Sequence, residues 1–84
     1  MINRFDEKIE VGTIFGRGRK INPVWFVWKG IRYSIQEITY YWTTDQGEAL
    51  IHHFSVRDKA NNLFEIGYNA RTLVWKLLKV EVEG

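Results

Sequence analysis

Few side chains in this chain of 84 residues are suited to chemistry, and their spacing narrows what they can do. His52 and His53 are adjacent. On an extended strand neighbouring side chains point to opposite faces, so the two imidazoles cannot share one metal ion. No cysteine is present to complete a site, and the nearby acids sit in turn-like stretches, so no metal centre is expected. His53 and Ser55 would share a face, but residues two apart on a strand stand roughly 6–7 Å apart. A nucleophile and its base need about 2.6–3.2 Å. A serine hydrolase is therefore not expected. Glu81 and Glu83 share a face and read as solvated acids, while Asp45, Asp58 and Glu65 lack the spacing of paired catalytic carboxylates. The chain reads as non-catalytic, with no cofactor.

Binding chemistry is better represented. The stretch Gly16 to Lys20, "GRGRK", carries Arg17, Arg19 and Lys20. It lies within an interval, between Glu10 and Glu37, that contains no acid and also holds Lys29 and Arg32. The stretch lacks the G-x-x-x-x-G-K-[ST] order of a phosphate loop, and no helix clearly follows. It reads either as a solvated surface loop or as a phosphate-contacting arm. Trp25 lies diagonal to Arg32 across an expected hairpin. The pair suits a cation–π contact. It equally suits an indole and a cation offered to a nucleobase and its phosphate, or a tryptophan covered by another strand or a partner chain. The candidate nucleic-acid surface is thus Arg17, Arg19, Lys20 and Arg32 on phosphates, with Trp25 stacking.

The elements that must position these groups are strands. From Val24 to Trp42 the sequence is rich in Val, Ile, Trp, Tyr and Phe, which suit pleated surfaces. A two-residue turn at Lys29-Gly30 sets Trp28 opposite Ile31, Phe26 opposite Tyr33 and Val24 opposite Ile35, all apolar and all on one side. Trp25, opposite Ser34, and Val27, opposite Arg32, take the other side. Phe26, Trp28 and Tyr33 are expected in the core. The alternation then changes phase, from odd positions ending at Ile35 to even positions starting at Ile38, which requires a bulge or bend near Gln36-Glu37. "TTDQGEA" reads as a turn. "LIHHFSV" puts Leu50, His52, Phe54 and Val56 on one side, and "LFEIGY" puts Phe64, Ile66 and Tyr68 together. The segment from Asn69 reads as a turn and a last strand with a second phase slip between Leu77 and Leu78, or as a short helix begun at Asn69 or Thr72.

The expected fold is all-β: a single domain over residues 1–84, with residues 16–23 a basic, glycine-rich loop. It is read as an antiparallel meander of about five or six strands, forming a curled sheet or a small SH3-like barrel. Aromatics make up 15% of the chain, and they help so small a domain fill its core. The formal net charge is +2 and the pI about 9.0, a weak pointer to anionic partners. The absence of cysteine fits a reducing cytoplasm. The first residues carry acids early and resemble no signal peptide, and no run is apolar enough to span a membrane.

Pro23, Phe26, Trp28, Gly30, Tyr33, Ile35, Ile38 and Trp42 form the pattern P-x-x-F-x-W-x-G-x-x-Y-x-I-x-x-I-x-x-x-W, followed by "LFEIGY" and "WKLLKV". From about Phe5 to Val80 the chain resembles an uncharacterised family of small bacterial domains of unknown function. The resemblance implies a bacterial β-rich domain and assigns no catalytic residue. Members of that family are encoded near error-prone DNA polymerase genes, which implies a setting in DNA repair or replication. "GRGRK" lies outside the family pattern. Two functions are expected from residues and resemblance together. One is weak, sequence-tolerant binding of single-stranded nucleic acid. The other is a protein-interaction module accessory to DNA repair or replication, using Trp25, Val27 or an exposed strand edge.

Overall fold

The period-two alternation does produce strands. The computed structural model describes residues 2–16 and 20–81, so Arg17, Arg19, Val82 and Glu83 lie outside the described residues. The strands are β1 (Ile2–Phe15), β2 (Ile21–Trp28), β3 (Ile31–Ser34), β4 (Glu37–Gln46), β5 (Ala49–Arg57), β6 (Leu63–Asn69) and β7 (Val74–Glu81). All neighbours pair antiparallel. They form one seven-stranded sheet in the order β3-β2-β1-β7-β6-β5-β4.

That order corrects the simple meander of five or six strands. Two meanders, β1-β2-β3 and β4-β5-β6-β7, are joined side by side through β1 and β7. The strand missing from the expected count is β1. It is the longest at 14 residues, and its apolar positions are diluted by Arg4, Asp6, Glu7, Lys8 and Glu10. The basic loop is also shorter than expected: Ile21, Asn22 and Pro23 already belong to β2. Pro23, which has no N–H to donate, sits opposite Thr13 where the β1–β2 register shifts between Gly12 and Thr13. Such an irregularity is where a strand tolerates proline.

The sheet is curled but not closed into a barrel. Its edge strands, β3 and β4, are consecutive in the chain. At the corner between them, the Ile35 amide donates to Val24 O at 2.9 Å, and the next amide, Gln36, donates to Arg57 O at 2.8 Å. One amide thus holds the β2 side of the sheet and the next holds the β5 side. The phase change expected at Gln36-Glu37 is this corner, followed by a bulge between Ile38 and Tyr40.

Curling places the core on the inner face. Phe26, Val56, Ile66 and Leu77 are fully buried there, together with Phe54, Phe64, Trp75 and Val80. Trp28 and Tyr33 pack against this cluster partly buried, and Trp28 Nε1–H donates to Glu7 Oε2 at 3.0 Å. Phe26 stacks on Tyr33 at 5.0 Å and meets Phe64 edge-on.

Turns follow residue type. The hairpin register is the expected one, Phe26 opposite Tyr33 and Trp28 opposite Ile31. Lys29 and Gly30 both have positive φ, at 52° and 75°, the I′ geometry that matches strand twist. Asp58 is buried; its Oδ1 accepts from the amides of Ala60 and Asn62 and fastens the β5–β6 turn. Asn69 Oδ1 accepts from Arg71 N and Thr72 N, so "NART" is a turn, and Val74–Glu81 is a strand rather than a helix. No helix among the described residues is long and apolar enough to cross a membrane.

Phe26→Ala should cost about 3–5 kcal/mol in denaturant melts, typical of a fully buried aromatic. Tyr40→Ala, at a residue 67% exposed on an edge strand, should change stability by less than about 0.5 kcal/mol. Equal losses would show that β4 is buried more deeply than its exposure indicates.

Candidate functional site

The outer face of the sheet, opposite the core, collects most of the polar chemistry. Strand register alone builds one transverse row on it. Lys8 pairs with Lys76 across β1–β7, Lys76 with Gly67, Gly67 with His53 and His53 with Trp42. The row therefore runs from two cations, over a glycine, to an imidazole and an indole. At about 4.8 Å per strand it spans roughly 19 Å.

Each member has a physical reason for its pose. Trp42 stacks on His53, with ring centroids 5.0 Å apart and planes within 5°. Tyr40, two residues earlier on the same face of β4, leans on Trp42 at 5.5 Å. His53 Nδ1 lies 3.2 Å from Glu65 Oε2, and its Nε2 lies 2.7 Å from Thr44 Oγ1. A neutral ring satisfies both by donating from Nδ1 to the carboxylate and accepting the threonine hydroxyl at Nε2. Glu65 Oε1 holds Lys79 Nζ at 3.4 Å. At the other end Lys8 and Lys76 are like charges in direct opposition, which opposes folding. Asp6 offsets this through Lys76 Nζ at 3.0 Å. Among the described residues Lys8 makes no ion pair.

Between the two ends lies a groove of about 650 Å³, lined among others by Lys8, Thr44, Ile51, His53, Gly67, Lys76 and Leu78. Two features make its floor low. Gly67 has no side chain, and a Cβ there would stand 2.8 Å from Leu78 Cδ1. Leu78 is the extra residue of β7 where its pairing with β6 shifts between Glu65 and Ile66. The bulge turns Leu78 onto the outer face beside Ile51.

Of the expected site residues, Arg17 and Arg19 lie outside the described residues, and Lys20 stands apart from Trp25 and Arg32. Arg32 and Trp25 do come together: the guanidinium carbon is 4.3 Å from the indole centroid. The indole also lies against the backbone of Gly12, its ladder partner, where a Cβ would overlap the ring. Trp25 is thus packed by the chain's own groups, and a base would have to displace Arg32 to stack on it. Lys20 is exposed and lines a different groove.

His52 and His53 point to opposite faces, as strand geometry demands. His52 faces inward, its Nδ1 2.7 Å from the Tyr41 hydroxyl. Among the described residues no group of three potential ligands could hold a metal. Ser55 is not the partner of His53; Thr44 and Glu65 are. The hydroxyl–imidazole–carboxylate order resembles that of an acyl-transfer triad. The second oxygen of the acid is held by Lys79, and the same contacts keep the imidazole parallel to the indole of Trp42. Sequence reasoning missed this set because Thr44, His53 and Glu65 lie on three different strands. The available signal was the alternation placing His53 on the polar side of β5 and Trp42 opposite it.

Gly12→Val should eject Trp25 from its seat, seen as a red-shifted tryptophan emission and a lower denaturation midpoint. An unchanged spectrum would show that the indole does not rest on Gly12. Burial, aided by the adjacent His53 charge, holds His52 below its ordinary 6.5. The unfolded chain therefore takes up that proton more readily than the folded one. The stabilisation is complete above about pH 6.5 and is lost as pH falls below it. Denaturation midpoints should drop on acidification through that range, and His52→Gln should flatten the drop. An equally steep drop in the variant would place the cause elsewhere.

Comparison with protein-family models, curated proteins and solved structures found no match.

Proposed function

We propose that the chain is a non-catalytic binding domain that takes single-stranded nucleic acid across the outer face of its sheet. The observation that carries this reading is the transverse row: Trp42 stacked on His53 at one end, Lys8 and Lys76 at the other, and the Gly67 groove between them. Sequence-tolerant binders of single strands combine aromatic platforms with cations that follow the backbone. Tyr40 supplies an exposed ring, and Trp42 extends it. The span of roughly 19 Å suits a few nucleotides. Arg32 extends the cationic path toward β3, while Trp25 braces the sheet beneath it. In this reading the curled sheet is an open variant of a small SH3-like barrel, acting in the cytoplasm.

Fluorescence anisotropy with a short labelled single strand tests the proposal. Counterion release gives a slope near −0.7 per phosphate neutralised. Lys8→Gln combined with Lys76→Gln should therefore flatten the salt dependence by about 1.4. Tyr40→Ala should weaken binding by about 1–3 kcal/mol with the slope nearly intact, because stacking releases few ions. Absence of binding at micromolar protein and low salt would overturn the reading. So would binding that survives all three substitutions.

A further inference from the structure

One ring on the outer face has its hydrogens assigned by its neighbours. His53 Nδ1 faces Glu65 Oε2 at 3.2 Å, and a carboxylate can only accept. Nδ1 of the neutral ring therefore carries the hydrogen, and Nε2 keeps its lone pair for the Thr44 hydroxyl at 2.7 Å. A further proton has only Nε2 to go to. Its arrival turns the hydroxyl round: Thr44 Oγ1 then accepts from Nε2–H, and its own hydrogen is released. Both Thr44 and His53 line the Gly67 groove. The charged ring thus gives the groove a cation and a hydroxyl donor together, whereas the neutral ring consumes that hydroxyl hydrogen.

Charge around the groove is balanced until that proton arrives. Lys8 and Lys76 line it, and so do Asp6 and Asp45, with Asp6 holding Lys76 at 3.0 Å. Beside it, on β6 and β7, Glu65 is set against Lys79. From β4 the uncharged Trp42 and Thr44 meet the ring. His52, the adjacent imidazole, faces the other side of the sheet, toward Tyr41. A proton on His53 therefore decides whether the groove carries net positive charge. Imidazole is the side chain that ordinarily changes charge between about pH 5 and 8, a range in which a phosphodiester stays anionic.

We propose that Thr44 and His53 form a proton-gated phosphate site, which takes one backbone phosphate of the bound strand when His53 is charged. The inference rests on the single-strand reading and adds its regulation. With His53 neutral, Lys8 and Lys76 make the phosphate contacts and the Trp42 end serves stacking alone. With His53 charged, Nε2–H holds Thr44 Oγ1, the threonine hydrogen donates to a phosphate oxygen, and the imidazolium supplies the opposing charge. Glu65 keeps the ring in place in both states.

Anisotropy with labelled oligothymidylate, at about pH 8 and about pH 5.5, tests the proposal on the full chain, with cooperative melting confirmed at both. Affinity should rise about tenfold at the lower pH, the low end for a hydrogen bond to a charged group. The salt dependence should steepen by about 0.7, one further phosphate neutralised. His53→Gln should show one slope at both pH values. Thr44→Val keeps the charge and loses the hydroxyl, so it should steepen yet gain less affinity. His52→Gln should respond as the unaltered chain does. The His53 ring resonances should titrate along the same pH course as the affinity. A slope that does not steepen, a His53→Gln slope that does, loss of the response in His52→Gln, or a ring that keeps one charge state throughout would each overturn the gate and leave the single-strand reading standing. Absence of oligonucleotide binding at both pH values overturns that reading instead. Sulfate, a dianion at both, then probes the gate: shifts of Thr44 and His53 at the lower pH alone support it, and equal shifts at both, or none, overturn it.

Discussion

Two successive peptide groups determine the shape of this domain. Ile35 donates its amide to Val24 on the β2 side, and Gln36 donates its amide to Arg57 on the β5 side. Without that corner the two meanders would be joined only through β1 and β7, as an open sheet with a wet apolar face. With it, the first and last strands of the row are tied at one end and the sheet must curl. Curling gives Phe26 of the first meander and Phe64 of the second a shared interior, where the two rings meet at 5.0 Å. The same tie holds only at one end, so the edges diverge beyond it and leave a seam lined by Ile14, Ile21 and Tyr41. Core and seam are consequences of a single local constraint.

The two faces then part chemically. Inward positions are filled mostly by aromatic and branched side chains; His52 meets the Tyr41 hydroxyl there, and the buried Asp58 is satisfied by its own turn. Outward positions carry a network that sets Glu65 between His53 and Lys79 and joins Lys76 to Asp6, while Lys8 makes no ion pair among the described residues. The exposed Lys76–Asp6 pair contributes little to stability, typically about 0–1 kcal/mol, whereas the His53 and Glu65 side chains are mostly buried. The consequence of the His53 contacts is orientation, since they hold the imidazole parallel to Trp42. Gly67 weakens its strand, because glycine loses the most entropy on folding, yet its missing side chain gives Leu78 room to pack over it.

The legible part of this structure is local. The Lys29-Gly30 turn, the pairing of Phe26 with Tyr33, the phase change near Gln36 and the strand after "NART" all rest on neighbours in sequence, where alternation and turn chemistry act directly. The illegible part is nonlocal. β1 hides behind its charges, since Arg4 to Glu10 read as solvated residues until β7 is laid beside them. The row from Lys8 to Trp42 crosses five strands, and no spacing along the chain encodes it. Trp25 shows the same limit. Its pairing with Arg32 was legible across a hairpin, but Gly12, whose missing side chain accommodates the indole, belongs to a strand that alternation did not reveal.

The most direct test is amide and side-chain chemical-shift mapping of the full chain titrated with a short oligothymidylate at low salt. The account predicts perturbations that converge on the outer face: the indole N–H of Trp42, the His53 ring, and the amides of Tyr40, Gly67, Lys76 and Lys8, with Ile14, Ile21 and Tyr41 unmoved. Perturbations confined to the seam, or none at saturating oligonucleotide, would contradict it.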